Sequence, residues 1–298
     1  MNTPLKLAGF AVGLITVFGA AAGLGSVVGP VGPDPAAATA AGHGAATGHG
    51  AGDAVPTAEA EVPAGLMVSA DGYSLELEGA ALPSGDATPL TFRILGPDGH
   101  PVEDFEVSHE QELHLIAVRR DLSGFQHVHP TLGTAGVWTT PLALGPGSWR
   151  VFADFVPGAD GRNRILGADL AVAGDFTPVP LPAGSRTAEV DGYTVTLDGE
   201  LTAGTESELT LSVSRDGRPV TDLQPYLGAY GHLVALRSGD LAYLHVHPAD
   251  DGDAGPGIRF FTTAPSAGTY RLFLDFKHGS VVRTAAFTVS AAAHEEGR

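Results

Sequence analysis

"GSWRVFADF" at residues 147–155 returns as "GTYRLFLDF" at residues 268–276. In both copies a glycine and a small hydroxyl residue lead into an aromatic, and a lone acid, Asp154 or Asp275, interrupts an apolar run. A short apolar run between turn residues reads as a strand. An aromatic at its start resembles the corner that opens the sixth strand of an immunoglobulin-like sandwich. The stretch therefore poses the fold as a repeated β unit.

The flanking sequence extends the repeat. "DGYSLELEG" (71–79) returns as "DGYTVTLDG" (191–199), "DGHPV" (98–102) as "DGRPV" (216–220), and "HLIAVRRD" (114–121) as "HLVALRSGD" (232–240). An offset of 118 relates His114 to His232 and His127 to His245, and an offset of 121 relates Asp154 to Asp275. Each copy is about 110 residues, an ordinary domain size. The first divides into seven apolar runs: "YSLELEG", "TPLTFRIL", "ELHLIAVRR", "FQHVHP", "GVWTTPLAL", "SWRVFADF" and "LGADLAVAG". No amphipathic helix of any length interrupts them, and 41 Gly with 22 Pro supply the turns. The expectation is an all-β chain: two tandem immunoglobulin-like β-sandwich domains, at 64–180 and 186–291, with a tail at 292–298.

Ahead of the repeats, Leu7 to Gly29 contains no charged residue, Lys6 precedes it and the next basic residue is Arg93. That length spans a bilayer as a helix, and the basic residue on its N-terminal side places that end in the cytoplasm. We therefore expect residues 1–30 to be a transmembrane anchor, with a cleaved signal segment and secretion as the alternative. Residues 31–63 are rich in Ala, Gly and Pro and read as a flexible tether, which includes His43 and His49.

The formal net charge of −18, from 34 acidic and 16 basic residues, repels nucleic acid and anionic lipid and attracts cations. With no cysteine, disulfides, iron–sulfur clusters and thiolate zinc sites are excluded, and two methionines are too few for a thioether copper(I) site.

The histidines carry the functional signal. "HVHP" occupies 127–130 and again 245–248, out of 12 histidines in all. Residues i and i+2 of a strand share a face about 7 Å apart, so His127 and His129, like His245 and His247, project side by side. His114 and His232 open the third run of each copy, in which both faces are apolar, as in a central strand. In a sandwich the third and sixth runs are neighbours in the same sheet, which brings Asp154 toward His114. A buried carboxylate costs several kcal/mol unless paired. The first copy adds His109, Glu110 and Glu112, whereas the second adds Lys277 and His278.

One reading is a site of histidines and one carboxylate in each repeat, with His109, His114, His127, His129 and Asp154 in the first and His232, His245, His247 and Asp275 in the second. Such ligands suit a divalent transition metal, Cu(II), Zn(II) or Ni(II), better than calcium or magnesium, with Cu(II) or Zn(II) the expected ion. The other reading is a polar core network, with the histidines bonded to aspartate and backbone. If one copy alone binds metal, the first has the richer ligand set.

The stretch "FEVSHEQELHLIAVRRDLSGFQHVHP…GSWRVFADFVP" resembles a group of exported bacterial β-sandwich proteins with a His-Glu…His-Leu-Ile…His-x-His-Pro pattern. The resemblance covers most of the first repeat and, more weakly, the second. It implies an exported protein associated with heavy-metal handling, and it names no ligand.

The leading expectation is a membrane-tethered extracytoplasmic protein that buffers or delivers copper or zinc. Its partners would be the metal ion and a metal transporter or other membrane protein, with no nucleic acid and membrane contact through the N-terminal helix only. The alternative is an interaction module of tandem sandwiches. An enzyme ranks last, because no nucleophile elbow, phosphate loop or cofactor fingerprint is present, and no catalytic residue is assigned. The charge asymmetry around Leu7–Gly29 predicts that residues beyond 60 face outward. Protease added to cells with opened walls should remove both sandwiches, whereas full protection would reverse the topology.

Overall fold

The computed structural model describes residues 62–244, 246–249 and 254–294. The expected anchor and tether, His43, His49 and His245 lie outside the described residues, as does most of the tail. Among the described residues no helix is long and apolar enough to cross a membrane.

All seven expected runs of the first repeat are strands: β1 (Tyr73–Leu77), β2 (Gly85–Leu95), β3 (Leu113–Arg119), β4 (Gln126–Val128), β5 (Val137–Leu144), β6 (Gly147–Pro157) and β7 (Arg164–Val172). One sheet runs β1-β2-β5 and the other β7-β6-β3-β4, each extended by two-residue strands. The second repeat repeats the plan. Its principal strands are β8 (Tyr193–Asp198), β9 (Glu206–Arg215), β10 (Gly231–Arg237), β11 (Tyr243–Leu244), β12 (Val246–Pro248), β13 (Gly257–Thr263), β14 (Gly268–His278) and β15 (Val281–Ala292). They form a β8-β9-β13-β12 sheet and a β15-β14-β10-β11 sheet. The corner expectation holds in both copies. The Trp149 indole N–H donates to the Gly145 carbonyl at 2.8 Å, and the Tyr270 hydroxyl donates to the Ser266 carbonyl at 2.7 Å.

Period two explains why both faces of the third run are apolar. Leu113, Leu115 and Ala117 of β3 enter the first repeat's own core with Trp149, Val151 and Phe155 of β6. Leu233 and Ala235 of β10 do the same in the second, with Tyr270, Leu272 and Phe276 of β14. The opposite faces meet each other. Ile116, Val118 and Phe152 of the first repeat pack with Val234, Leu236 and Phe273 of the second in a third buried cluster. The two sheets thus lie face to face, and the described residues of both repeats belong to one compact unit.

This interface is close to two-fold symmetric. Phe125 stacks on Phe273 with centroids 4.0 Å apart. Their repeat equivalents, Tyr243 and Phe152, pack at 5.6 Å. The chain entering the first repeat stitches the two: the Gly65 amide donates to the Ile165 carbonyl at 3.0 Å, and the Tyr243 amide donates to the Ala64 carbonyl at 2.9 Å. Gly65 adopts φ +72°, and a Cβ there would lie 2.6 Å from the Phe152 ring, so close approach as well as backbone conformation requires glycine. The connection between repeats also contributes, with Leu181 packed against the shared cluster.

Removing a buried phenyl ring costs about 3–5 kcal/mol. Phe273→Ala should reach that range in urea unfolding of residues 62–298, with a coupling to Phe125→Ala of about 0.5–1.5 kcal/mol in a double-mutant cycle. A loss well under 1 kcal/mol would show that the sheets do not pack in solution.

Candidate metal centre

The polar residues singled out in the sequence fall on the same strand faces as the interface cluster. His114 is two residues from Ile116 on β3, and His232 two from Val234 on β10. Asp154 and Asp275 are each two residues from an interface phenylalanine on β6 and β14. They gather at the rim of the apolar contact, beside a cleft of about 290 Å3 lined by His109, His114, His127, Asp154, His232 and His247 among others.

One ring nitrogen from each of His114, His127 and His129 lies within 4.8 Å of the other two. His114 Nδ1 is 3.1 Å from His127 Nε2. Two ligands about 2.0–2.1 Å from one zinc ion at the tetrahedral angle stand about 3.3 Å apart, so this contact matches a coordination edge. His129 Nε2 is buried and has no hydrogen-bond partner among the described residues. The pair expected on one face of β4 therefore does converge with the histidine of β3.

The outer nitrogens are fixed by acceptors. His114 Nε2 donates to the Ser108 carbonyl at 3.0 Å. His127 Nδ1 lies 2.8 Å from Asp275 Oδ2, with side-chain exposures of 6% and 5%. The Thr284 hydroxyl donates to the other Asp275 oxygen at 2.5 Å. The chain Ser108–His114–His127–Asp275 therefore contains three contacts that each need a hydrogen, and two neutral imidazoles carry two. The third requirement falls between His114 and His127 or on the carboxyl, and it is met either by one additional proton or by a cation at the inner contact.

Asp275, expected to serve its own repeat, instead meets His127 of the first. The reason is that β14 turns its interface face toward β4 across the shared cluster. Asp154 is the register partner of His114, as expected from neighbouring third and sixth strands. Its carboxylate, however, accepts from Asn163 Nδ2 at 2.6 Å, so the expected His114–Asp154 pairing exists in the backbone register. His232 likewise pairs Asp275 in register and donates through Nε2 to the Tyr226 carbonyl at 2.8 Å, the counterpart of His114 on Ser108.

His109 sits on a left-handed turn with Glu110. Its ring stands 6.1 Å from that of His114 and 5.4 Å from that of His232, outside the close triad. Glu110, Glu112 and His247 are exposed. His278 lies elsewhere, 2.7 Å from the Tyr193 hydroxyl and 3.1 Å from Asp222. The sequence reading missed Ser108, Asn163, Tyr226 and Thr284. Asn163 and Thr284 each follow their aspartate by nine residues, a spacing that was available as a signal.

Burial sets the electrostatics. It pushes His114 down to about 3, against the Ser108 hydrogen bond and with repulsion from His127, His129 and His232. Burial, followed by repulsion from His127 and His232, brings His129 to about 4. His232 also falls to about 4, from burial first, against its bond to Tyr226. Burial raises Asp154 to about 6, outweighing the Asn163 bond.

The pH consequence follows by linkage. The three histidines are neutral in both states above about 6.5. Below that value the unfolded chain takes up protons that the fold refuses until about 4, so their contribution to stability is lost across this window. Asp154 acts in the opposite sense, because its folded form keeps a proton up to about 6 that the unfolded form loses near 3.8. Three groups against one leave a net loss. The melting temperature of chelator-treated protein should fall steadily from pH 6.5 to pH 4.5, and a flat profile there would contradict the buried, neutral histidines.

Solved structures share general features with the chain at low similarity. A DUF4426 family protein from Pseudomonas aeruginosa is 8% identical over all of that chain and 37% of this one, with a TM-score of 0.29. The adhesin FdeC of Escherichia coli is 16% identical over 65% of that chain and 76% of this one, with a TM-score of 0.24. The fibronectin(III)-like modules of Clostridium thermocellum CbhA are 9% identical over 99% of that chain and 75% of this one, with a TM-score of 0.22. No curated protein matches it. Two segments, residues 68–174 and 188–293, match the family described as Domain of unknown function (DUF8832), and the chain belongs to that family as a tandem pair of its domains.

Proposed function

We propose that the protein binds one divalent transition-metal ion, Cu(II) or Zn(II), through His114, His127 and His129, and buffers it or hands it on. The observation that carries this reading is the convergence of one ring nitrogen from each of three imidazoles, beside a His129 Nε2 that is buried and has no partner among the described residues. A buried unsatisfied polar atom costs about 1–3 kcal/mol. A polar network that served only the fold would satisfy its members, whereas here His129 Nε2 has no partner among the described residues and the Ser108–His114–His127–Asp275 chain needs one hydrogen more than two neutral imidazoles carry. A cation answers both. Three neutral imidazoles are borderline ligands suited to zinc or Cu(II), and three protein ligands leave a coordination position for exchange. The net charge of −18 raises the local concentration of cations around the cleft.

The extracytoplasmic, membrane-tethered placement belongs to the same proposal. Its support is the uncharged run Leu7–Gly29 and the resemblance of the first repeat to exported, metal-associated sandwiches. A second reading, an interaction module of two sandwiches, draws on the apolar sheet-to-sheet contact that joins the two repeats.

Isothermal titration of residues 62–298 should give binding of Zn(II) or Cu(II) tighter than about 10 μM, worth about 7 kcal/mol. His127→Ala with His129→Ala should weaken it by more than the about 10–100-fold typical of losing an orienting partner. His100→Ala, an exposed histidine on a turn of the same repeat, should leave it unchanged. If neither metal reaches 10 μM affinity in the wild type, the histidines are a polar rim of the interface and the interaction reading stands.

A further inference from the structure

We infer that Asp275 of the second repeat is a positioning residue for the metal centre of the first, so that ion binding and docking of the two repeats are a single linked equilibrium. This rests on the metal reading of His114, His127 and His129 and adds to it a role for the second domain.

The geometry is specific. His127 offers Nε2 to the inner contact with His114 at 3.1 Å, and its other nitrogen, Nδ1, faces Asp275 Oδ2 at 2.8 Å. A carboxylate at Nδ1 holds the hydrogen there, which leaves Nε2 as the lone pair available to an ion and fixes the plane of the ring. The carboxylate is itself held, because Thr284 donates to its second oxygen from the adjacent strand β15. Here the histidine and its carboxylate are 148 residues apart and belong to different repeats.

Asp154, the residue that could orient His127 from within the first repeat, is engaged by Asn163. The second repeat is therefore the source of the orienting charge. The apolar cluster beside it, with Phe125 on Phe273, sets the spacing between the sheets that lets β14 reach β4. Separating the sheets would withdraw Asp275 from His127. An ion on Nε2 would in turn make the Nδ1 hydrogen more acidic and strengthen its bond to Asp275. By reciprocity, the factor by which docking raises ion affinity equals the factor by which the ion tightens docking.

The test uses the full chain with Zn(II) for calorimetry and Cu(II) for electron paramagnetic resonance. Asp275→Asn should weaken Zn(II) binding about 10–100-fold and shift the parallel g and hyperfine values of bound Cu(II). Thr284→Val, which keeps the carboxylate but frees one of its oxygens, should give a smaller loss and a shift in the same direction. In hydrogen exchange, Zn(II) should slow the amides of residues 268–278 in the second repeat of the wild type, and this protection should vanish in Asp275→Asn. Unchanged affinity and spectra in a folded Asp275→Asn, or protection confined to residues 113–129, would overturn the linkage and leave the metal centre standing. If Asp275→Asn does not fold, wild-type affinity, spectra and protection in Thr284→Val overturn it equally. Wild-type protein that binds neither ion overturns the metal reading and the linkage together.

Discussion

The face-to-face packing of two sheets, one from each repeat, is the constraint on which the site depends. Four strands, β3, β6, β10 and β14, are buried on both faces: one face lines a repeat's own core and the other lines the shared cluster. Each strand can be apolar on both faces because neither face meets water. A sandwich of this kind standing alone would expose Ile116, Val118 and Phe152, or Val234, Leu236 and Phe273, as a continuous apolar strip, and exposed strips of that sort associate. The tandem arrangement covers each strip with the other.

At the rim of that contact the same strand faces carry His114, His232, Asp154 and Asp275, so apolar packing and polar chemistry share one surface. Burial makes charged imidazole costly, which holds His114, His129 and His232 well below the ordinary histidine range. The resulting rings are neutral, and His114 Nδ1 lies 3.1 Å from His127 Nε2.

Near-symmetry of the interface also shows how two equivalent residues take different work. Asp154 and Asp275 occupy the same place in their repeats, and each accepts from a side chain nine residues on, Asn163 or Thr284. Asp275 additionally reaches His127, whereas burial keeps Asp154 protonated up to about 6. The second repeat thus contributes an orienting carboxylate to histidines that the first repeat supplies.

Much of this was legible without coordinates. The seven apolar runs, the corner aromatics Trp149 and Tyr270, the register of His114 against Asp154, and the shared face of His127 and His129 all follow from strand period and repeat spacing, which are local properties of the chain. The sequence also marked β3 as apolar on both faces, but the partner of its second face was not local information. Only the tertiary structure set the two sheets against each other, gave His127 to Asp275 across 148 residues, and brought His114, His127, Asp154 and His232 to one cleft. Which surface covers an apolar strand face is decided by the packing of whole sheets, and no spacing along the chain encodes that contact.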